Sequence, residues 1–231
     1  MRWIQFVTIS AYLLAVPSEP NIARMNEPSI SPIKKRGRKL SFDRDAALKS
    51  AMHTFWRHGY ETTSVSDLLG AMNISAPSLY TAFGDKERLF MEVVQLYVDT
   101  HEQAIVGALD GAPTAKDAID RFLQIAVTGL VKKNCPKGCL LVTAAPVGST
   151  ASLSVQLHLA QRRNHIRKLL EGRIKRGILQ GDVPGDVDAA SLSYFYSTVF
   201  QGMSIQACGG AKRRMLSSIA SQSLLAWPDA K

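Results

Sequence analysis

Small and hydroxyl-bearing side chains crowd one short stretch of the chain, and their spacing suits contact with a nucleic acid. Over residues 74–83, Ile74, Leu79 and Phe83 fall on one side of a helix. The opposite side carries residues that are small or bear a hydroxyl group: Ala76, Pro77, Ser78, Tyr80 and Thr81. Such a face can approach base edges and phosphates closely. The alternative is an ordinary helical corner in which Tyr80 is half buried.

A second short helix is predicted immediately before this face. Ser64 can accept a backbone N–H at a helix start, and Asp67 three residues later completes a capping-box pattern. Apolar residues then recur at helical spacing: Val65, Leu68, Leu69 and Met72. Asn73 interrupts the pattern, and asparagine tolerates the left-handed backbone of a sharp turn. Ser75 opens the next helix, with Pro77 in the first turn, where a missing N–H costs little.

A supporting helix is predicted upstream, within residues 42–60. Asp43 can cap its start, and Gly59 occupies the position that glycine favours just after a helix end. Its apolar stripe comprises Ala47, Leu48, Ala51, Met52, Phe55 and Trp56. Downstream, Gly84 ends the second short helix and Asp85 can cap a further one. Three helices therefore share one small core.

Five cations fall within the six residues 34–39, in a segment without apolar periodicity. They include Lys35, Arg36 and Arg38. One interpretation is a solubilising tail, and the other is a flexible arm that lies along phosphates or in a minor groove. We favour the arm because the run directly precedes a helix-turn-helix pattern.

Residues 36–90 resemble the N-terminal domain of the tetracycline-repressor (TetR) family of bacterial transcriptional regulators. The motifs FWRHGY, TTSVSDL, SLYTAF and DKERLF follow one another in the family's order, while Asn73 replaces the family's usual glycine. The resemblance implies a recognition helix over residues 75–83, opened by Ser75, in which Ala76, Pro77 and Ser78 approach bases. It implies phosphate contacts from Thr63, Ser64, Tyr80, Thr81 and Lys86. A lysine at a helix start opposes the macrodipole unless an anion lies nearby, although Lys86 could also be a solvated surface residue.

Composition and missing motifs narrow the function classes. The chain has 231 residues, 46% of them hydrophobic, and can bury a substantial core in one or two domains. Its formal charge of +9 suits a polyanionic partner. It lacks GxSxG, phosphate-loop, HExxH and paired CxxC motifs, so we predict no enzyme, no cofactor and no metal site. A non-specific basic DNA-binding protein is a distant alternative, which the short recognition helix disfavours.

The first 24 residues differ from the rest of the chain. Arg2 followed by WIQFVTISAYLLAV resembles a secretion signal, but this segment is too short and too polar for a confident transmembrane span. Since a secreted protein should not carry a transcription-factor head, we hypothesise that translation starts at Met25. The predicted location is then cytoplasmic, without a membrane partner. A membrane-tethered regulator is the lower-ranked alternative.

An all-α fold is predicted, because no alternating strand pattern of useful length follows residue 90. The expected parts are an N-terminal segment with the arm (1–40), a three-helix helix-turn-helix DNA-binding domain (41–90), and a helical effector-binding and dimerisation domain (91–231). Beyond the head, helices are expected over residues 86–106, 114–130, 149–178, 188–206 and 211–227, with a short apolar helix after the loop NCPKGC.

The last two predicted helices carry more apolar and small residues than one buried face requires: Leu192, Tyr194, Phe195, Val199, Phe200, Gly202, Met203, Ile205, Met215, Ile219, Leu224 and Leu225. Such a surplus usually marks packing against another chain, although a central position in their own domain would also explain it. The resemblance implies a homodimer built on these helices through a four-helix contact. Its two heads would lie about 34 Å apart, or a multiple of that distance, on palindromic double-stranded operator DNA.

The resemblance also implies a small-molecule pocket among the middle helices. Its ligand would change the spacing of the heads and release DNA, and most members of the family are repressors. The candidate wall residues are Phe122, Ile125, Leu141, Leu157, Tyr194 and Phe195. Core packing is the alternative explanation for each of them.

Cysteines suggest a second way of sensing. Cys135 and Cys139 flank Pro-Lys-Gly, and the neighbouring Lys133 and Lys137 could lower the pKa of the Cys135 thiol. Three cysteines do not indicate a disulfide framework, and the CxxxC spacing is not a standard zinc pair. We favour incidental or structural thiols, followed by redox or electrophile sensing and then by metal sensing.

Overall fold

The computed structural model describes residues 42–145 and 149–228. The basic arm with Lys35, Arg36 and Arg38, and the hypothesised start at Met25, lie outside the described residues. Within the described ranges the predicted all-α fold is confirmed, and a 3-10 turn at Thr150–Ser152 precedes the seventh helix. The helices are α1 (Arg44–His58), α2 (Val65–Met72), α3 (Ala76–Phe83), α4 (Lys86–Asp110), α5 (Ala115–Leu130), α6 (Leu140–Thr143), α7 (Leu153–Gln180), α8 (Ala189–Cys208) and α9 (Arg213–Leu224).

Side-chain caps begin the helices of the head, as predicted. Asp43 accepts the backbone N–H groups of Asp45 and Ala46 at the start of α1. Ser64 and Asp67 form both hydrogen bonds of a capping box at α2. Asn73 adopts the left-handed conformation, with φ 52° and ψ 48°, between α2 and α3. The tight turn predicted there is confirmed.

The core of the head is closed by α4 as well as by the three shorter helices. Phe55, Leu68 and Leu79 are completely buried, each contributed by a different one of α1 to α3. Phe90 of α4 meets Phe55 edge to face, with ring centroids 5.0 Å apart. Because α4 continues without a break past residue 90, one continuous helix belongs to both predicted domains.

The structure corrects the end of α4, which was expected near residue 106 and lies at Asp110. Arg173 Nε and Arg176 Nη2 of α7 donate to the carbonyl oxygen of Leu109, at 3.1 and 3.2 Å. The last carbonyls of a helix have no partner within it, and these arginines satisfy one of them. Contacts from distant residues therefore outweigh the helix-ending tendency of Gly107.

The remaining helices follow the predicted order with small shifts at their ends. Thr114 caps α5 by accepting the N–H of Asp117, and the expected short apolar helix is α6. The last helix begins at Arg213 rather than near Ala211, because Ala211 N donates back to Gln206 O after α8. No helix within residues 42–145 and 149–228 has both the length and the hydropathy needed to cross a membrane.

Candidate nucleic-acid interface and internal cavity

Helix α3 presents a small, polar outer surface. Leu79 and Phe83 are buried on its inner side. The outer side carries the predicted contact residues, of which Pro77, Tyr80 and Thr81 are exposed and Ala76 and Ser78 are partly exposed. Tyr80 is 55% exposed, so it is not a core aromatic. The sequence and the structure thus agree on which face of α3 is free for a partner.

Local hydrogen bonds hold the hydroxyl groups of this face. Ser75 caps α3 and lies 2.9 Å from Ser78 through their Oγ atoms. The Thr81 hydroxyl donates to Pro77 O at 2.7 Å. Since a hydroxyl oxygen can also accept and has a rotatable proton, these groups remain able to contact phosphate or base edges.

The role predicted for the side chain of Thr63 is wrong. Thr63 is 1% exposed, and its hydroxyl donates to Gly59 O at 2.6 Å, which ties the end of α1 to the start of α2. A side chain enclosed in this way cannot reach a phosphate. Ser64, the next residue, is exposed, and its hydroxyl group bonds to the Asp67 carboxylate at 2.6 Å.

Lys86 is partly buried at the start of α4 rather than fully solvated. Its Nζ atom lies 4.5 Å from the centroid of the Tyr60 ring. Burial lowers the pKa of Lys86, while the nearby charge of Glu61 acts in the opposite direction. The π-face of Tyr60 and the Glu61 carboxylate therefore provide the negative potential that a lysine at a helix start requires.

A mainly apolar cavity of about 160 Å³ lies behind the head, bounded by residues of α1, α4, α5, α6, α7 and α8. Of the predicted wall residues, Phe122, Ile125 and Leu141 line it. Leu157, Tyr194 and Phe195 do not line it and are exposed at the surface, so their assignment to the pocket is corrected. The apolar character of these three residues indicated that they lie on an apolar helix face. It did not indicate whether that face borders the cavity or the outer surface.

Aromatic and polar residues that sequence reasoning missed complete the cavity wall. They are Trp56 from α1, Tyr97 and His101 from α4, and Arg163 from α7. The Trp56 and Tyr97 rings meet edge to face at 5.0 Å, and Tyr97 stacks on His101 at 4.3 Å. Only the apolar stripe of α1 hinted at Trp56, and its spacing indicated burial without indicating a cavity.

The three cysteines are free thiols in different surroundings. Cys139 lies on the cavity wall and accepts the Tyr97 hydroxyl at 3.4 Å, and burial raises the pKa of its thiol. The Lys137 ammonium donates to the carbonyls of Val131 and Lys132 near the end of α5. Across residues 42–145 and 149–228, no three histidine, cysteine or carboxylate side chains gather where they could hold a metal ion.

Similarity to known proteins assigns the chain to a family. Residues 47–93 match the profile of bacterial regulatory proteins of the tetR family. The HTH-type transcriptional repressor ComR of Escherichia coli (strain K12) is 36% identical over 200 residues, covering 85% of this chain and 94% of ComR. This chain belongs to the TetR family. The uncharacterized regulator YezE of Bacillus subtilis (strain 168) is 30% identical over 164 residues, covering 69% of this chain and 82% of YezE.

A solved structure extends this similarity to three dimensions. It contains the TetR family transcriptional regulator CifR, in a cysteine-substituted form complexed with a 26bp double-strand operator DNA. CifR is 40% identical in sequence and superposes with a TM-score of 0.81, covering 83% of this chain and all of the CifR chain. The predicted membership in a family of DNA-binding transcriptional regulators is confirmed.

In this TetR-family chain, the head is bonded directly to the start of α7 and the end of α6. Tyr60 N donates to Ala144 O at 2.7 Å. One oxygen of the Glu61 carboxylate accepts Ser149 N at 3.0 Å, Ser149 Oγ at 2.9 Å and the Ser152 hydroxyl. Gly59, with φ 86°, lies so close that an added Cβ would be 3.1 Å from Ala144 O. The end of α6 is therefore in direct contact with the segment that leads into α2.

The surplus of apolar residues on α8 and α9 leaves an exposed face. Tyr194, Phe195 and Ile205 of α8, with Met215 of α9 and Leu225 just after it, are exposed. Tyr196 and Met203 of α8 are instead buried within the same chain. The two helices thus pack inward on one side and carry a second apolar surface on the other.

Proposed function

We propose that this protein is a homodimeric repressor that binds a palindromic operator through α3 and releases it when a small molecule occupies the cavity. The observation that most strongly supports this proposal is the exposed face of α3, which carries small and hydroxyl-bearing side chains. Side-chain caps begin both α2 and α3, and the two helices pack over a closed core. The operator complex of CifR, at 40% identity, supports the same use of the head.

Selection of bound duplexes from a random pool by the purified protein tests the DNA function. A palindromic consensus is expected, because a two-fold dimer presents two equivalent recognition helices. Equal affinity for all duplexes at matched salt would instead favour a non-specific basic DNA-binding protein.

A hydroxyl deletion tests whether Tyr80 contacts the operator. Tyr80→Phe is expected to weaken binding of the selected duplex about a hundredfold or more, since each of the two half-sites loses a hydrogen bond to a charged group, worth about 1.5–3 kcal/mol. Thr128→Val is the matched control, because it also removes one exposed hydroxyl group, on α5 and outside both the head and the apolar face of α8 and α9. Equal effects of the two substitutions would remove Tyr80 from the interface.

The apolar face of α8 and α9 supports a dimer that forms through it. Ile205→Glu places a charge on this face, and we expect it to shift sedimentation toward a monomer, because a buried unpaired carboxylate is strongly unfavourable. Leu179→Glu is the control, since Leu179 is an exposed apolar residue of α7 and belongs to neither α8 nor α9. A dimer that persists in Ile205→Glu and dissociates in Leu179→Glu would place the interface elsewhere.

The cavity is positioned to couple ligand to DNA because its wall belongs to both domains. Trp56 lies on α1, whereas Leu141 and Val142 lie on α6, whose following residue Ala144 is bonded to Tyr60. Coupling requires that ligand and DNA prefer different arrangements of these helices. Glu61→Ala removes the bonds to Ser149 and Ser152 and is expected to reduce ligand-induced release severalfold, while Asp45→Ala in the same head leaves release unchanged.

Thiol-based sensing through Cys135 and Cys139 is the second candidate, and it is supported by the position of Cys139 on the cavity wall. The raised pKa of Cys139 disfavours it, because the thiolate is the reactive form. We therefore expect Cys135→Ser and Cys139→Ser each to leave the response of the protein–DNA complex to oxidant unaltered. Loss of oxidant-induced release in either variant, with effector response retained, would establish thiol sensing as a separate input.

A further inference from the structure

The wall of the cavity includes an arginine that pairs with no carboxylate in the described chain. Arg163 of α7 is partly buried, and its Nη1 atom donates to the backbone carbonyl of Leu141 at 2.6 Å. Within residues 42–145 and 149–228, that neutral oxygen is its one hydrogen-bond partner. A guanidinium carries several N–H donors and a full positive charge, so a single neutral acceptor leaves most of its binding capacity unused.

Other arginines of α7 are matched by acidic side chains. The pairs are Arg167–Glu171 at 2.7 Å, Arg173–Asp182 at 3.8 Å and Arg176–Asp110 at 2.9 Å. Among the residues that line the cavity, Glu102 is the one carboxylate, and it is bonded to His165 Nε2 at 2.8 Å. Because charges removed from water are normally paired, the position of Arg163 on this wall suits an anion supplied from outside the chain.

The charged end of Arg163, and not only its aliphatic stem, lies among the wall residues. Its guanidinium bonds to Leu141 and lies near Cys139, and both of these residues line the cavity. Burial lowers the pKa of Arg163, while the Cys139 sulfur acts weakly in the opposite direction. An anion beside the guanidinium would offset this loss of hydration.

The size and lining of the cavity restrict the rest of the ligand. A dry apolar cavity of roughly 150 Å³ accommodates benzene, so the volume of about 160 Å³ here suits one ring with a short substituent. Val98, Ile105, Phe122, Ala126, Leu130 and Ile166 supply apolar contact around it. An apolar wall with one charged group is typical of sites that orient a ligand by a single polar end.

We propose that the effector is a small monocarboxylate with an apolar body of about one ring, whose carboxylate is held by the Arg163 guanidinium. This assignment rests on the proposed function, in which the cavity is the effector site. The planar guanidinium can donate two parallel hydrogen bonds to the two oxygens of a carboxylate. The apolar remainder of the wall disfavours a second charge on the ligand.

The bond from Arg163 to Leu141 also connects such a ligand to the head. Leu141 belongs to α6, and Ala144 at the end of α6 accepts the N–H of Tyr60 at 2.7 Å. A carboxylate that binds Nη1 competes with the neutral Leu141 carbonyl, and the charge-assisted bond is the stronger of the two. The ligand thereby weakens a bond that holds α6 in the arrangement described above.

Two isosteric probes test the assignment: benzoate, which is an anion at neutral pH, and nitrobenzene, which has the same shape and no net charge. Calorimetric titration of the wild-type protein and of Arg163→Gln gives four affinities. The preference for benzoate over nitrobenzene is expected to fall about ten- to a hundredfold in Arg163→Gln, the value of a hydrogen bond to a charged group. An unchanged preference would overturn the proposal.

Arg162→Gln is the matched control, because it removes the same charge from the neighbouring position. Arg162 donates to Gln95 Oε1 at 2.6 Å and is not part of the cavity wall. We expect it to change the preference by less than about twofold, since solvent and salt screen an exposed charge. Equal losses in the two variants would show a general effect of net charge, and the assignment to Arg163 would fail.

A comparison on the wild-type chain keeps the test independent of any folding defect in Arg163→Gln. A cavity without an available cation should accept nitrobenzene and reject benzoate, because an unpaired carboxylate is costly to bury. We expect benzoate to bind at least as tightly as nitrobenzene. Weaker binding of benzoate, or failure of both probes to bind at millimolar concentration, would overturn the assigned ligand class.

Ala126→Phe separates this inference from the function on which it rests. The added ring fills the cavity, so neither probe is expected to bind. If Ala126→Phe binds benzoate as the wild-type protein does, the cavity is not its site and the assignment fails. If benzoate binds as described but does not release the selected operator duplex, the proposed effector function fails and the ligand assignment stands.

Discussion

The DNA-binding head and the cavity behind it are built in different ways. The head places Phe55, Leu68 and Leu79 in a closed core, and its outer face comes from one continuous stretch, residues 75–83. The cavity draws on six helices and on residues as far apart as Trp56 and Gln201. The outer face of α3 is therefore formed by one continuous segment, whereas the cavity is formed by the packing of several segments.

The difference extends to packing. Phe55 is enclosed by Phe90 at 5.0 Å and Tyr60 at 6.0 Å, and no part of it is exposed. Phe122 is equally inaccessible to solvent from outside, yet it faces the cavity on one side. An interior that is fully packed resists change, whereas one with space can adjust to a ligand. The head thus has a filled core, whereas the wall residue Phe122 borders free space.

Truncation of the two phenylalanines provides the largest expected effect. Phe55→Ala should lower the free energy of unfolding by about 3–5 kcal/mol, because it leaves a new cavity in a closed core. Phe122→Ala should cost less, because Phe122 already lacks neighbours on its cavity side. Urea unfolding at one fixed protein concentration compares them. Equal losses would contradict the distinction between closed and open packing.

Removal of a helix cap tests how local the stability of the head is. Ser64→Ala abolishes the capping box with Asp67 and should destabilise the protein by about 1 kcal/mol. Ser66→Ala, on the exposed side of α2, should change stability by less than about 0.5 kcal/mol. Thermal unfolding distinguishes the two. A large effect at Ser66 would show that α2 depends on contacts other than its cap.

Substitution of Asn73, in the turn between α2 and α3, is expected to have the smallest effect on stability. Asn73→Gly should change stability by less than about 0.5 kcal/mol, since easier left-handed geometry is offset by a more flexible unfolded chain. Asn73→Ala should cost about 1 kcal/mol, because alanine is strained at φ 52°. Chemical denaturation of both variants tests this. Equal stability of the two would mean that the left-handed turn is not what selects asparagine.

Local signals made the head predictable, and the limits of those signals explain the errors. Caps at Asp43, Ser64 and Ser75 act within three residues of themselves, so their partners could be read directly from the sequence. Thr63 looked like another available hydroxyl. Its burial depends on how α1 meets α2, and hydroxyl chemistry alone does not reveal that.

The regulatory half shows what an apolar pattern leaves open. Leu157 and Phe122 are both apolar residues at helical spacing, yet one is exposed and the other lines the cavity. Periodicity identifies an apolar face, but it does not say whether that face meets a neighbouring helix, an internal space or a second chain. This is why half of the predicted wall residues were misplaced.

By itself, the sequence determined the helical class, the capped two-helix unit and the outward face of α3, because these depend on hydrogen bonds and side-chain directions within a few residues. Only the tertiary structure decided that α4 continues to Asp110, through Arg173 and Arg176, and that Glu61 joins the head to the start of α7. It also placed Trp56 of α1 in the cavity wall, edge to face with Tyr97 of α4. Such features arise where segments that are distant in sequence come into contact. The free energy of that contact depends on both segments, so the sequence of either one alone does not predict it.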